Sequence, residues 1–401
     1  MRIGFFLQNN KKGGLDTFLI NLITHWNDND DLILFCNQSH PGRNEITNSL
    51  DNYARLIKYD LVISEDLDFR LQKLPKILRI FVKIQFWFFG FFYQKYFLKR
   101  IFIKYQIDRL LIINGGYPGG DACLAASVAW NNINSNNKAW MNFHNFVVPE
   151  PTNFLKRIKS RFIDYRVTQS TEGFVSVSHN CMNSLANRNI LSKVKKKFIY
   201  NGFSPLKTNK SSSIRNELGL QDDDKIILML AVYEPRKGHR FIFQVMEQIM
   251  LKFSNAYLLL CGYGSEEEIE NVDKIRQSVM SKEKIIMQPH RDDVVNLLSQ
   301  VEILVMPSQS FESFGYTALE AMSCGVPVVV TNVGGLPEVV EDGECGYVIQ
   351  KNDIQGFAKS VNQLLEDKDL RKRMGEAGIK RYNNYFNVSQ MVEEYERLIK
   401  D

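Results

Sequence analysis

Ile303 to Gly335 reads ILVMPSQSFESFGYTALEAMSCGVPVVVTNVGG, and this stretch decides the fold. Four apolar residues, Ile303–Met306, end at Pro307, which has no N–H to give a sheet ladder and closes the run as a strand. A polar loop with Glu312 leads to Gly315, Tyr316–Ser323 reads as a helix, and Val328–Val330 starts a second apolar run. Strand, helix and strand in so short a span form a βαβ unit, and such units build parallel sheets covered by helices.

Outward from this segment the same rhythm repeats. Apolar runs at Ile3–Leu7, Leu32–Cys36, Leu110–Ile113, Ala139–Phe143, Phe174–Val177 and Lys197–Tyr200 alternate with helix-like stretches in the first half. Ile226–Val232, Ala256–Leu260 and Ile285–Met287 do so in the second. Most are rich in Val, Ile, Leu or Phe without polar alternation, as strands covered on both faces are. The 401 residues exceed one ordinary core and fit two domains. Asn201-Gly202 ends a strand, a polar stretch with Pro205 and Ser211–Ser213 follows, and a fresh buried strand comes after Asp222-Asp223-Asp224. The reading is an α/β chain with a domain over 1–203, a linker over 204–222 and a second domain over 223–385. A C-terminal helix over 386–401 returns to the first domain.

Ligands of open parallel sheets bind beyond the carboxyl ends of the strands. There the backbone N–H groups at Gly315, Tyr316 and Thr317 point at a phosphate, the helix dipole adds to the attraction, and the glycine permits close approach. Glu320 on the helix can accept two hydrogen bonds from adjacent ribose hydroxyls, and Glu312 in the loop can face a sugar. Tyr233-Glu234-Pro235-Arg236-Lys237-Gly238 follows another strand, and its lysine can neutralise a departing diphosphate. Gly13-Gly14 follows the first strand and opens a helix from Leu15; alone, a glycine pair is equally a plain turn. Asn142-Phe143-His144-Asn145, Gly262-Tyr263-Gly264 and Pro289-His290-Arg291 end or follow three more strands.

The segment around Glu312 and Glu320 resembles the E-x7-E region of glycosyltransferase family 4, the large retaining family of GT-B fold. The match includes Phe314-Gly315, Ala321-Met322, Gly325-Val326-Pro327-Val328 and Gly334-Gly335-Leu336-Pro337-Glu338, and the resemblance runs from Arg2 to about Glu396. It implies two Rossmann-like domains facing across a cleft, with a UDP- or GDP-sugar held mainly by the second. It implies that Glu312 faces the donor sugar, Glu320 binds the ribose, Lys237 meets the diphosphate, Gly13 and Gly14 approach the donor phosphate and His144 faces the donor sugar. Gly262 then shapes the wall near the nucleotide, the His290-Arg291 loop meets the base, and Ser178 matches a family serine. The family usually carries an Arg five residues before the lysine. Val232 stands there, and Arg236 is the candidate replacement. The implied chemistry is metal-independent, needs no cofactor beyond the donor and retains the anomeric configuration. No set of His, Asp and Cys has metal-ligand spacing. Nucleotide-sugar epimerases share the fold, and an accessory subunit with an inactive cleft is the non-enzymatic alternative, supported only by Val232.

Net charge is +5, yet residues 1–203 carry 27 Lys and Arg against 15 Asp and Glu, a net +12 that leaves −7 elsewhere. Such asymmetry points the first half toward an anionic partner. From Phe69 to Ile107 there is no acidic residue and there are nine basic ones: Arg70, Lys73, Lys76, Arg79, Lys83, Lys95, Lys99, Arg100 and Lys104. Among them lies Phe86-Trp87-Phe88-Phe89-Gly90-Phe91-Phe92-Tyr93. The longest uncharged run, Ile84–Gln94, has 11 residues, and a bilayer span needs about 20. A helix lying in the interface of an anionic membrane has this composition; a buried helical hairpin with its lysines in water is the alternative. The expectation is a cytoplasmic protein, peripheral at the inner face of the membrane through about residues 70–105. Its acceptor is then a lipid-linked saccharide of surface polysaccharide or lipopolysaccharide assembly. A nucleic-acid binder fits poorly, since the basic cluster is rich in Phe and Trp runs and forms no recognised binding module. The apolar run at the N-terminus ends at Gln8-Asn9-Asn10, too short for a signal peptide. The six cysteines form no CxxC pair, and several sit in apolar stretches, which reads as buried free thiols.

Overall fold

The computed structural model describes every residue except 28, 205–212 and 401, so part of the expected linker lies outside the described residues. The chain divides into two compact units, Met1–Gly202 with Val388–Asp401, and Phe203–Asn387.

Unit 1 holds β1 Arg2–Gln8, β2 Asp31–Asn37, β3 Arg55–Tyr59, β4 Arg109–Asn114, β5 Ala139–Phe143, β6 Thr171–Ser176 and β7 Lys196–Phe198. They form one sheet in the order β3-β2-β1-β4-β5-β6-β7, parallel throughout. Unit 2 holds β8 Lys225–Leu230, β9 Ala256–Gly262, β10 Ile285–Pro289, β11 Ile303–Met306, β12 Val328–Thr331 and β13 Gly346–Ile349. Their order is β10-β9-β8-β11-β12-β13, again parallel. Each unit is thus Rossmann-like, with helices packed on the sheet. In unit 2, Met229, Leu258 and Val305 of the strands share one core with Val245 of the helix His239–Met250 and Val361 of the helix Ile354–Glu366.

Two strands went unread in the sequence, β3 and β13. Both are edge strands with a single neighbour. One side of β3 faces water, so Arg55 and Lys58 interrupt its apolar residues and the continuous run of a central strand is absent. The stretch rich in Phe and Trp is one 30-residue helix, Lys76–Tyr105, not a hairpin. Only Gly90, Phe91, Gln94, Leu98 and Phe102 of it are buried. A single helix has one side to lay on the protein, and the remaining aromatic residues stay outside. Among the described residues no helix is long and apolar enough to cross a membrane.

The last helix, Val388–Lys400, belongs to unit 1. It buries Met391, Val392, Tyr395 and Leu398. Asn142 Nδ2 donates to the Tyr395 hydroxyl at 2.7 Å, and the Gly202 N–H meets Met391 Sδ at 3.0 Å. Five of the six free cysteines are buried and Cys324 is half-buried. Desolvation pushes the Cys36 and Cys261 thiols up to about 12, so both stay protonated.

Candidate functional site

The strand order of unit 2 reverses between β8 and β11, which pair directly through Ile303 with Ile227 and Leu304 with Leu228. At such a point the connections leave to opposite sides and open a crevice at the carboxyl ends of the strands. The loop after β8 carries Arg236 and Lys237. The loop after β11 carries Glu312, Phe314 and Gly315.

These two loops meet through charge. Lys237 Nζ lies 2.5 Å from Glu312 Oε2, the two side chains being only 14% and 13% exposed. Ser308 Oγ donates to the same oxygen at 3.3 Å, and Arg236 Nη1 stands 3.7 Å from it. Arg236 also pairs with Glu234 through Nε and lies over the Phe311 ring, 4.9 Å from its centroid. Residue spacing alone suggests that neighbours in a loop diverge. Here the short turn Pro235–Lys237 leaves both long side chains able to reach Glu312.

Glycines make this convergence possible. Gly238 sits at φ 81°, and a Cβ there would stand 2.0 Å from the Pro307 carbonyl oxygen. The Gln309 N–H then donates to the Arg236 carbonyl at 2.8 Å, stitching the loops together. Gly334, at φ 61° in the loop after β12, leaves room for the Glu312 backbone; a Cβ would meet the Glu312 carbonyl oxygen at 1.9 Å. The Gly335 N–H donates to that oxygen at 2.8 Å. Three loops therefore fix Glu312.

The helix Tyr316–Ser323 starts beside this cluster, with Gly315 as its N-cap at φ 120°. The first N–H groups of a helix have no partner within it and carry the positive end of its dipole. Thr317 Oγ1 meets Met306 Sδ at 3.1 Å, and the buried Phe314 ring packs on Tyr316 and Phe386. Glu320 lies one turn further on. Desolvation alone pushes its carboxyl up to about 7, with no hydrogen bond from a described residue to offset it.

The outlying residues divide. Gly262 ends β9 where a Cβ would collide with the Ala231 carbonyl oxygen at 1.9 Å. The exposed His290 ring faces Tyr263 edge-on at 5.6 Å, with Nε2 3.2 Å from Asp292. Arg291 is committed to carboxylates: two bonds of 2.8 Å to Asp293 and one of 2.5 Å to Glu217. This pairing pulls the Asp293 carboxyl down to about 2. Its guanidinium is therefore a strut of the loop.

In unit 1, Gly13 precedes the helix Gly14–Thr24, and its N–H donates to Asp16 Oδ2 at 3.3 Å. Asp16 Oδ1 accepts from Asn9 Nδ2 at 3.1 Å and lies 3.0 Å from His40 Nε2. Asp16 and His40 escaped the sequence reading; the one signal for Asp16 is an acidic residue in a helix's first turn. His144 follows β5, with its ring 4.3 Å from that of Phe18. Desolvation pulls it down to about 3, so it is neutral at ordinary pH, and its Nε2 is buried without a protein partner. It offers a hydrogen bond, not a charge. Ser178 Oγ accepts from the Cys181 N–H at 3.1 Å and caps a short helix. Among the described residues no group of three or more His, Cys, Asp or Glu could hold a metal.

Both loops of the charged pair fall in a segment with known relatives. Residues 210–381 match the model of the glycosyl transferases group 1 family. N-acetyl-alpha-D-glucosaminyl L-malate synthase of Bacillus anthracis is 30% identical over 190 residues, 47% of this chain and 49% of that protein. A GDP-mannose-dependent monoacylated alpha-(1-6)-phosphatidylinositol monomannoside mannosyltransferase of Corynebacterium glutamicum is 30% identical over 182 residues, 44% of this chain and 47% of that protein. The chain spans about half the length of the curated relatives it matches. HepE of Anabaena, solved in complex with UDP, has a TM-score of 0.73 at 17% identity, covering 99% of both chains. That likeness is one of fold: two parallel-sheet Rossmann-like units, as in GT-B glycosyltransferases.

Proposed function

We propose that this protein is a retaining, metal-independent glycosyltransferase. It moves a sugar from a UDP- or GDP-sugar to a lipid-linked saccharide, at an anionic membrane surface, in surface polysaccharide assembly. The observation that carries this is the 2.5 Å contact of Lys237 with Glu312 where the sheet order of unit 2 reverses.

A diphosphate competes with Glu312 for Lys237 and Arg236. It gains two cations in a half-buried recess, where each is worth more than in water. The first-turn amides at Gly315, Tyr316 and Thr317 add hydrogen bonds to the phosphate. Glu312, released from Lys237 but still held by Ser308, turns its carboxylate to the sugar. Glu320 receives the ribose hydroxyls, which replace the solvation its carboxylate has lost. The leaving diphosphate departs with its charge offset, the main contribution a protein makes to such a transfer. Gly13-Gly14 and His144 of unit 1 stand at the carboxyl ends of their own strands and serve as donor or acceptor contacts there.

The UDP in HepE and the GDP-mannose in the corynebacterial relative's name support a nucleotide-diphosphate donor. That same name, with its phosphatidylinositol acceptor, supports a lipid-borne one. Resemblance of the Glu312–Glu320 region to a retaining family supports retention. The exposed aromatic and basic residues of the long helix support membrane docking. Reversing Lys95, Lys99 and Arg100 to Glu releases the protein from anionic vesicles on this reading.

A thermal-shift screen against UDP, GDP and their sugars tests the central claim. One nucleotide series raises Tm, and its sugar is transferred to an added acceptor with the anomeric configuration kept, as read by NMR. A chain that no nucleotide stabilises sinks the proposal. One that converts the nucleotide-sugar without acceptor is an epimerase instead.

A further inference from the structure

The helix Phe154–Ser170 carries the same surface chemistry as the long helix, although its sequence looks merely polar. It exposes Phe154 and Leu155, each to 64%, with Ile158, Phe162 and Tyr165. Positions 154, 158, 162 and 165 follow helical spacing and share one face. Lys156, Arg157, Lys159, Arg161 and Arg166 surround them. The helix has one acidic residue, Asp164, which is buried and bound to Arg188 at 2.9 Å, so it contributes nothing to the outer surface.

Both helices pack on the helix Asp121–Asn131, and their side chains meet over it. The Phe92 and Phe162 rings meet at 6.2 Å, and Lys159 Nζ sits 4.6 Å above the Trp87 ring while donating to the Trp87 carbonyl. These contacts advance in the same direction along both helices, so the N-terminal halves stand at the same end. Burial begins only at Gly90 in the long helix and at Asp164 in the other. Before those points Phe86, Trp87 and Lys159 line a recess with Leu67 and Leu124, and no side chain of either helix is fully buried. On the outer side of the long helix Ile77, Ile80, Phe81, Ile84, Phe88 and Phe89 are exposed.

We infer that the first halves of both helices form one face that seats on an anionic bilayer, with Phe154, Leu155 and Ile158 inserted beside the residues of the long helix. This extends the membrane reading above to a second, independent element. The bilayer is the occupant because the face is both apolar and basic: greasy side chains enter the headgroup boundary while Lys and Arg meet anionic lipid. A second copy of this chain would set like charges against each other.

Co-sedimentation with phosphatidylglycerol-containing and pure phosphatidylcholine vesicles tests this. Wild type binds the anionic vesicles more tightly. The F154S/L155S/I158S variant loses about tenfold or more of that binding. The K156E/R157E variant loses the preference for phosphatidylglycerol. All five residues lie outside the core, and an unchanged melting curve verifies each fold. Wild-type binding retained by both variants overturns the role of this helix and leaves that of the long helix standing. A wild-type chain that binds neither vesicle overturns both. A lipid-free dimer that F154S/L155S/I158S converts to monomer makes the face a self-association surface and also overturns the inference.

Discussion

Lys237 and Glu312 neutralise each other in a recess that would penalise either alone, which makes the lysine the sharpest target for a single substitution. Lys237→Ala should lower turnover by ~10²–10³, the usual loss for one preorganised charge-stabilising group; a steady-state rate near wild type removes it from the mechanism. Glu320 gives a pH signature. Its folded carboxyl titrates at about 7, above its ordinary 4.5. The stability it contributes is fully present below pH 4.5 and is lost as pH rises through about 7. If Glu320 binds the ribose as proposed, the hydroxyls favour the carboxylate, so nucleotide binding should release the proton and tighten as pH climbs through about 7. Titration calorimetry across that range should show the rise in wild type and a flat profile in Glu320→Gln; a flat wild-type profile excludes Glu320 from the nucleotide site. Both residues were legible in the sequence because each follows a strand end in a local motif. The Asp16–His40 contact was not, because its partners lie 24 positions apart. Nor was the convergence of Arg236 on Glu312, which depends on how two separate loops fold toward each other.

At the scale of elements, Gly334 sets where the loop after β12 meets the loop that carries Glu312. In the sequence the glycine pair at 334–335 is part of a motif without an evident task; in the fold it seats the backbone of Glu312. Gly334→Ala adds a methyl group where none fits, at a φ that costs other residues about 1–3 kcal/mol. The expected outcome is a fold that survives with lower Tm and a transfer rate reduced far beyond what the stability change explains. Unchanged kinetics would free Glu312 from this seat. The central strands were legible as continuous apolar runs, since helices cover both faces. Edge strands β3 and β13 were not, and neither was the apolar face of Phe154–Ser170. Lys and Arg between its apolar residues give a linear pattern that looks like a solvated helix until the rotation of the helix sorts the two kinds.

For the whole molecule, the alternation of strands and helices gave away the α/β class. The return of the last helix was legible as an amphipathic segment, but its receiving groove was not, for Asn142 and Gly202 are remote in sequence. Removing residues 388–401 should abolish or sharply lower the unfolding transition of unit 1 in calorimetry while that of unit 2 persists. Two unaltered transitions would show the helix to be dispensable. The same helix orders events during synthesis. Unit 1 is translated first yet lacks a wall of its core until residues 388–400 emerge, whereas residues 203–387 are made before then. At about 5–20 residues per second, the nascent first sheet waits roughly 10–40 s for its last partner. Throughout that interval Phe18 and its neighbours on that side of the sheet are without the Tyr395 ring that later packs at 5.3 Å, so chaperone demand should fall once residues 388–400 have been made.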